Sequence, residues 1–155
     1  MKLLHALALS IGALVAVWVF VSVGQPALGF SPWIGFVAWA AFFAAGGGKG
    51  GFGKALGAGV AGILLTAATL FAVNALGGGL VWLIGLVAVL AFVLVAMADL
   101  PALSYTPAAF LGAAAFFGSG GKVDESVFFV AITWLVGLAF GYASEAVGKR
   151  IAKPA

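Results

Sequence analysis

The chain of 155 residues is 65% hydrophobic and only 7% charged, carries a formal net charge of +3, and contains 24 glycines and no cysteine. Ordinary soluble domains are about a quarter charged, so the composition excludes one and predicts an all-α integral membrane protein, a single transmembrane domain over residues 1–155. The missing cysteines exclude disulfides, thiol catalysis and thiolate metal sites, and so small a charge suggests no nucleic-acid partner.

Breaking the apolar runs at glycine, proline and charge predicts six helices. The first runs from Leu3 to Val23, and its apolar stretch lacks a small-x-small cleavage site, which argues against a removed signal peptide. Gln25-Pro26 separates it from a short second helix, Phe30 to Ala45. The glycine-rich stretch Gly46 to Gly53 leads to the third helix, Ala55 to Ala75, and Gly77 to Gly79 lead to the fourth, Leu80 to Ala98. After Asp99 to Pro101 comes another short helix, Leu103 to Phe117, and after Gly118 to Glu125 the sixth, Ser126 to Val147. The alternating strands of a barrel are not seen, and in hydrocarbon a helix satisfies its own backbone groups. Lys2, Lys49, Lys54, Lys149, Arg150 and Lys153 fall on one side of a six-span arrangement and Lys122 alone on the other, which predicts cytoplasmic termini.

Ala41-Phe42-Phe43 followed by Gly46-Gly47 returns 74 residues later as Ala115-Phe116-Phe117 followed by Gly120-Gly121. Ser31-Pro32 returns as Thr106-Pro107 at a spacing of 75, and Ile11-Gly12 as Ile84-Gly85 at 73. These matches predict two copies of one unit, repeat 1 over about 1–76 and repeat 2 over about 77–155. Three crossings per copy force the second to enter upside down, giving a 3+3 inverted repeat about an axis in the membrane plane.

The second and fifth helices are the shortest, begin at Pro32 and Pro107, and end at glycine clusters. Short segments bounded by Gly and Pro in matching places point to a central pathway. Phe42 and Phe43 then form a constriction near the cytoplasmic mouth, Phe116 and Phe117 one near the outer mouth, with Gly46, Gly47, Gly48, Gly120 and Gly121 as mouth backbone. Neighbouring side chains on a helix point about 100° apart, so one member of each pair lines and the other packs. Sequence does not select which, and packing of all four stands beside the pore reading.

Gly46 to Gly53 reads as a cytoplasmic turn or as a re-entrant segment lining a cavity. Gly48-x-x-x-x-Gly53-Lys54 has the spacing of a phosphate loop, but Ala55 stands where Ser or Thr would hold magnesium, and an apolar helix precedes it where a strand is required. Gly137-x-x-x-Gly141 and Gly59-x-x-Gly62 predict close helix approach, within one chain or along a homo-oligomer seam. Trp18, Trp33, Trp82 and Trp134 read as interfacial anchors, with Trp39 deeper beside the phenylalanines. Ser10, Ser22, Thr66, Thr69, Thr133 and Ser144 are expected to bond to their own helices. Asp99 and Glu145 lie near cytoplasmic helix ends, the latter beside Lys149 and Arg150. One histidine, His5, and four acids offer no catalytic triad and no metal cluster, so no enzyme activity, metal or cofactor is expected.

Trp33-x-Gly35-Phe36, Phe43-Ala44 and Gly47-Gly48-x-Gly50 in the first half, with Pro107-x-x-Phe110-x-Gly112 and Gly137-x-x-Phe140-Gly141-Tyr142 in the second, resemble the bacterial inner-membrane family known as domain of unknown function ten-ninety-seven. The likeness covers most of the chain, and the Phe-Gly-Tyr ending is its most specific piece. It implies a six-helix inner-membrane protein with cytoplasmic termini and carries no established activity. It departs after the second helix, where the family pattern has Cys-Pro near the glycine pair and this chain has Ala45-Gly46.

The expected function is passive permeation of a small uncharged solute or gas, such as urea, a short amide or ammonia, across the inner membrane. An apolar path with aromatic constrictions and no buried charge penalises ions. The alternative is a non-conducting membrane subunit or assembly partner, since every feature except the duplication also serves helix packing.

Overall fold

The computed structural model describes residues 1–152, so Lys153 of the basic side lies outside the described residues. The chain is all-α: α1 (Leu3–Ser22), α2 (Pro32–Ala44), α3 (Gly48–Ala75), α4 (Leu80–Ala96), α5 (Thr106–Gly118) and α6 (Ser126–Ile151), with no strand among the described residues. Four of these are long and apolar enough to cross a membrane: α1, α3, α6, and α4 together with the turn that continues it to Asp99. The other two, α2 and α5, have 13 residues each. At 1.5 Å per residue each is roughly 20 Å long, against about 30 Å of hydrocarbon.

Helix boundaries differ from the sequence expectation where backbone chemistry intervenes. The third helix starts at Gly48, seven residues before the expected Ala55. The connection from α2 is therefore only Ala45 to Gly47, and the glycine-rich stretch is neither a long turn nor an unwound segment. Glycine costs about 1 kcal/mol per helical position, but here it allows contact: Gly51 is buried, and a Cβ on it would stand 3.2 Å from the Phe42 carbonyl oxygen. Gly48-x-x-x-x-Gly53-Lys54 lies on a helix and has no loop with which to cradle phosphate. The fifth helix starts at Thr106 because Pro101–Leu103 form a 3-10 turn and Pro107 takes the second helical position. The sixth runs on to Ile151, with Lys149 and Arg150 in its last turn, where cations complement the helix dipole.

The dominant packing pairs are α3 with α5 and α2 with α6; α1 lies along α6 and α4 along α3. Glycine makes both dominant pairs possible. A Cβ on Gly62 would overlap the Ala109 carbonyl oxygen, and one on Gly112 the Gly59 carbonyl oxygen, so α3 and α5 meet backbone to backbone. Across the other pair, a Cβ on Gly137 would come within 2.5 Å of the Gly35 oxygen, and one on Gly141 within 2.8 Å of the Phe42 ring. Both small-residue motifs are thus occupied inside the chain. Between the pairs lies one core that includes Ile34, Phe42, Ile63, Phe116, Trp134 and Leu138.

Contacts sort the helix termini into two ends. At one, Leu7 of α1 rests on Gly148 of α6, the Gly48 N–H donates to Glu145 at 2.6 Å, and Gly57 faces the Ala102 carbonyl. This basic end collects Lys2, Lys49, Lys54, Lys149 and Arg150. At the other, Gly29 lies under the Phe129 ring, Trp33 over Gly118, and Leu70 against Gly121. Since Trp33 opens α2 and Gly118 closes α5, the two short helices run antiparallel.

Candidate functional site

The short helices are built alike. Each is preceded by a 3-10 turn, Pro26–Leu28 before α2 and Pro101–Leu103 before α5. The sequence behind those turns carries a longer match around Ser31-Pro32: Pro26-Ala27-Leu28-x-Phe30-Ser31-Pro32 returns at a constant spacing of 75 as Pro101-Ala102-Leu103-x-Tyr105-Thr106-Pro107. Extending the Ser31-Pro32 match upstream by five residues would have found it. Proline sets the turn and then the first helical turn, and Ser31 and Leu100, each before a proline, are extended.

The helices also end alike. Gly46 donates to the Phe43 carbonyl at 3.0 Å and Gly47 to the Phe42 carbonyl at 3.1 Å; Gly120 donates to Phe117 at 3.1 Å and Gly121 to Phe116 at 3.2 Å. The backbone angles repeat as well, φ +98° at Gly46 and Gly120, +67° at Gly47 and +61° at Gly121. Side chains avoid this left-handed region, which is why glycine recurs there. The turns sit at opposite ends of the bundle.

The structure separates the members of each phenylalanine pair. Phe42 and Phe116 are wholly enclosed, at 0% exposure, in the last turns of α2 and α5. Phe43 and Phe117 point outward instead. Phe43 lines an apolar surface groove of about 200 Å³ between α1 and α2 with Ile11, Val15, Phe36, Trp39 and Ala40. Phe117 lines one of about 210 Å³ between α4 and α5, with Val87, Leu90, Phe110 and Ala114 among its walls. Phe36 and Phe110, Ala40 and Ala114, and Phe43 and Phe117 correspond at the same spacing of 74, so the grooves are twins. An open collar formed by the pairs is therefore absent from this conformation: one member of each pair is sealed in the core and the other lies outside it.

Trp18 and Trp134, expected at interfaces, are both interior at 0% exposure. Their indoles lie over Gly35 and Gly59, and their N–H groups donate to the Pro32 carbonyl at 3.0 Å and the Ala55 carbonyl at 3.2 Å. Sequence position alone hides this, because the receiving glycines sit on other helices. Trp39 is also buried and donates to the Ser144 hydroxyl at 3.1 Å, while the Ser10 hydroxyl donates to the Ser144 carbonyl at 2.7 Å. These bonds tie α1, α2 and α6 together near the basic end. Ser22, Thr66, Thr69 and Thr133 return their hydroxyls to carbonyls four residues back.

Glu145 joins α6 to the first turn of α3. One carboxylate oxygen accepts the Gly48 N–H, and the other pairs with Lys149 at 2.5 Å. The amide it accepts would otherwise be an unsatisfied donor at a helix start. At the corresponding turn a Cβ on Gly121 would meet the Leu70 side chain, and among the described residues no carboxylate bonds to that turn. Beyond it, Asp124 accepts the Ser126 N–H at 2.8 Å as α6 begins, and that bond holds the Asp124 carboxyl below its usual range. Among the described residues no group of three or more His, Cys, Asp or Glu is placed to hold a metal.

An all-α bundle with four membrane-length apolar helices, large apolar side chains on its outside and, among the described residues, every buried polar side chain hydrogen-bonded has the build of a helical membrane protein. The chain belongs to the family described as "Protein of unknown function (DUF1097)", whose model matches residues 8–149. No curated protein and no solved structure matches the chain.

Proposed function

We propose that this chain is a six-span, 3+3 inverted-repeat protein, seated in the bacterial inner membrane with its basic end in the cytoplasm, that conducts a small uncharged solute or gas through the α2–α5 centre. Urea, short amides and ammonia are the solutes to test. The observation that carries the reading is the placement of Phe42 and Phe116, repeat-related, fully enclosed, and in the last turns of antiparallel helices. Further support comes from the packing: exchanging the halves turns the α3–α5 pair into α6–α2 and the α1–α6 pair into α4–α3, and these are among the closest pairings. Phe42 and Phe116 act as two closed gates, and the interior between them offers no charge to an ion.

Stopped-flow light scattering on proteoliposomes tests this. Phe42→Ala with Phe116→Ala raises urea or ammonia flux severalfold, while Phe43→Ala with Phe117→Ala leaves it at the wild-type rate. Flat flux in every variant, equal to that of empty vesicles, favours the second reading, a non-conducting membrane subunit. That alternative is motivated by the backbone contacts at Gly62, Gly112 and Gly137, which leave no lumen between those helices. The topology is testable separately, because a chain without cysteine accepts single reporters cleanly. Lys54→Cys is labelled from the cytoplasmic side alone and Lys122→Cys from the outside alone; labelling of both from one side removes the inverted repeat.

A further inference from the structure

The twin grooves differ in what stands at their mouths. The α1–α2 groove ends at Phe43, one turn from the Gly46–Gly48 corner, and so opens toward the basic end. Lys2, Lys49, Lys54 and Arg150 are exposed there, and none of them makes an ion pair among the described residues. The acids at this end are Asp99 and Glu145, and Glu145 is already tied to Lys149 and Gly48. Added Cβ atoms at Gly46, Gly48, Gly50 and Gly53 would meet nothing within 4 Å, so apart from the Glu145 carboxylate at Gly47 and Gly48 this stretch stands open. The α4–α5 groove ends at Phe117 near Lys122, which is outnumbered there by Asp124 and Glu125.

From this contrast we infer that the α1–α2 groove together with the basic end is a binding site for an anionic phospholipid. One acyl chain lies along Ile11, Phe36, Ala40 and Phe43, and the phosphate sits at the level of the basic end, within the field of its unpaired cations. Basic clusters at the level of lipid headgroups attract anionic lipid, and a groove continuous with such a cluster adds shape to charge. The α4–α5 groove has the same walls without the charge and accepts acyl chains with no headgroup preference. The inference holds whether or not the protein conducts.

Native mass spectrometry of the full-length protein in detergent tests it, using phosphatidylglycerol and phosphatidylethanolamine with identical chains. Phosphatidylglycerol is retained in preference, and Lys49→Gln, Lys54→Gln and Arg150→Gln each reduce its retention about fivefold, the weight of one basic residue at an anionic membrane surface. All three are exposed substitutions that keep the bundle folded. Filling the groove with Ala40→Trp lowers phosphatidylglycerol retention, whereas Ala114→Trp in the twin groove does not. Equal retention of the two lipids, no loss in the three glutamine variants, equal loss from Ala40→Trp and Ala114→Trp, or equally strong binding of glycerol phosphate without chains would each overturn the site.

Discussion

Gly62→Leu and Gly112→Leu are each expected to abolish the folded bundle. A Cβ alone at either position overlaps a carbonyl oxygen of the facing helix, Ala109 in one case and Gly59 in the other. Overpacking a core usually costs about 1–3 kcal/mol when side chains can shift; here the obstacle is backbone on both sides, and four carbons must fit. Separating α3 from α5 would break the largest pairing in the molecule. The expected readout is loss of the monodisperse species in detergent and loss of a cooperative thermal transition. Gly50→Ala and Gly53→Ala supply the contrast, since both positions are exposed and open. Each should be neutral or gain roughly 0.5–1 kcal/mol from the better helix former. If Gly62→Leu keeps the wild-type melting temperature, the backbone contact between α3 and α5 is not there.

The second large effect is expected at Trp134. Its fully enclosed indole fills the space that Gly59 leaves, so Trp134→Ala should cost about 3–5 kcal/mol. In lipid the transfer share of that loss shrinks, because acyl chains are as apolar as the protein interior, and lost packing carries most of it. Gly59→Ala is expected to be damaging as well, since its methyl group would collide with the same indole. The double variant tests the fit of the pair: with the ring gone, the methyl group has room, and the two losses should fall short of their sum by at least about 1 kcal/mol. Strict additivity in denaturant titrations would mean that the indole and the glycine do not share a space.

The residues explain which parts of this fold were legible in sequence. Helix existence was, because apolar runs of 17 residues or more leave few alternatives in lipid. Helix starts were not: counting glycine as a breaker hid the first two turns of α3, where glycines serve as contact surface beneath the end of α2. The short pair α2 and α5 was legible from Pro32, Pro107 and the recurring glycine pairs, and the longer proline-centred match carries the same signal. Which phenylalanine faces inward was out of reach, since the rotation of α2 is fixed by Gly141 on α6, 99 residues from Phe42. Trp18 and Trp134 were misread for the same reason. A residue near a helix end resembles an interfacial anchor until the glycine that receives it is known, and Gly35 and Gly59 become partners only through the tertiary fold.

Glu145 has a consequence for how the halves relate. Under the proposed exchange, the corner after α2 and the corner after α5 are copies, yet only the first is fastened by a carboxylate from the neighbouring helix. In a pair of identical three-helix polypeptides, such a fastening would have to be present at both faces of the membrane or at neither. Joining the units in a single polypeptide removes that obligation, so one corner can be locked while its counterpart stays loose.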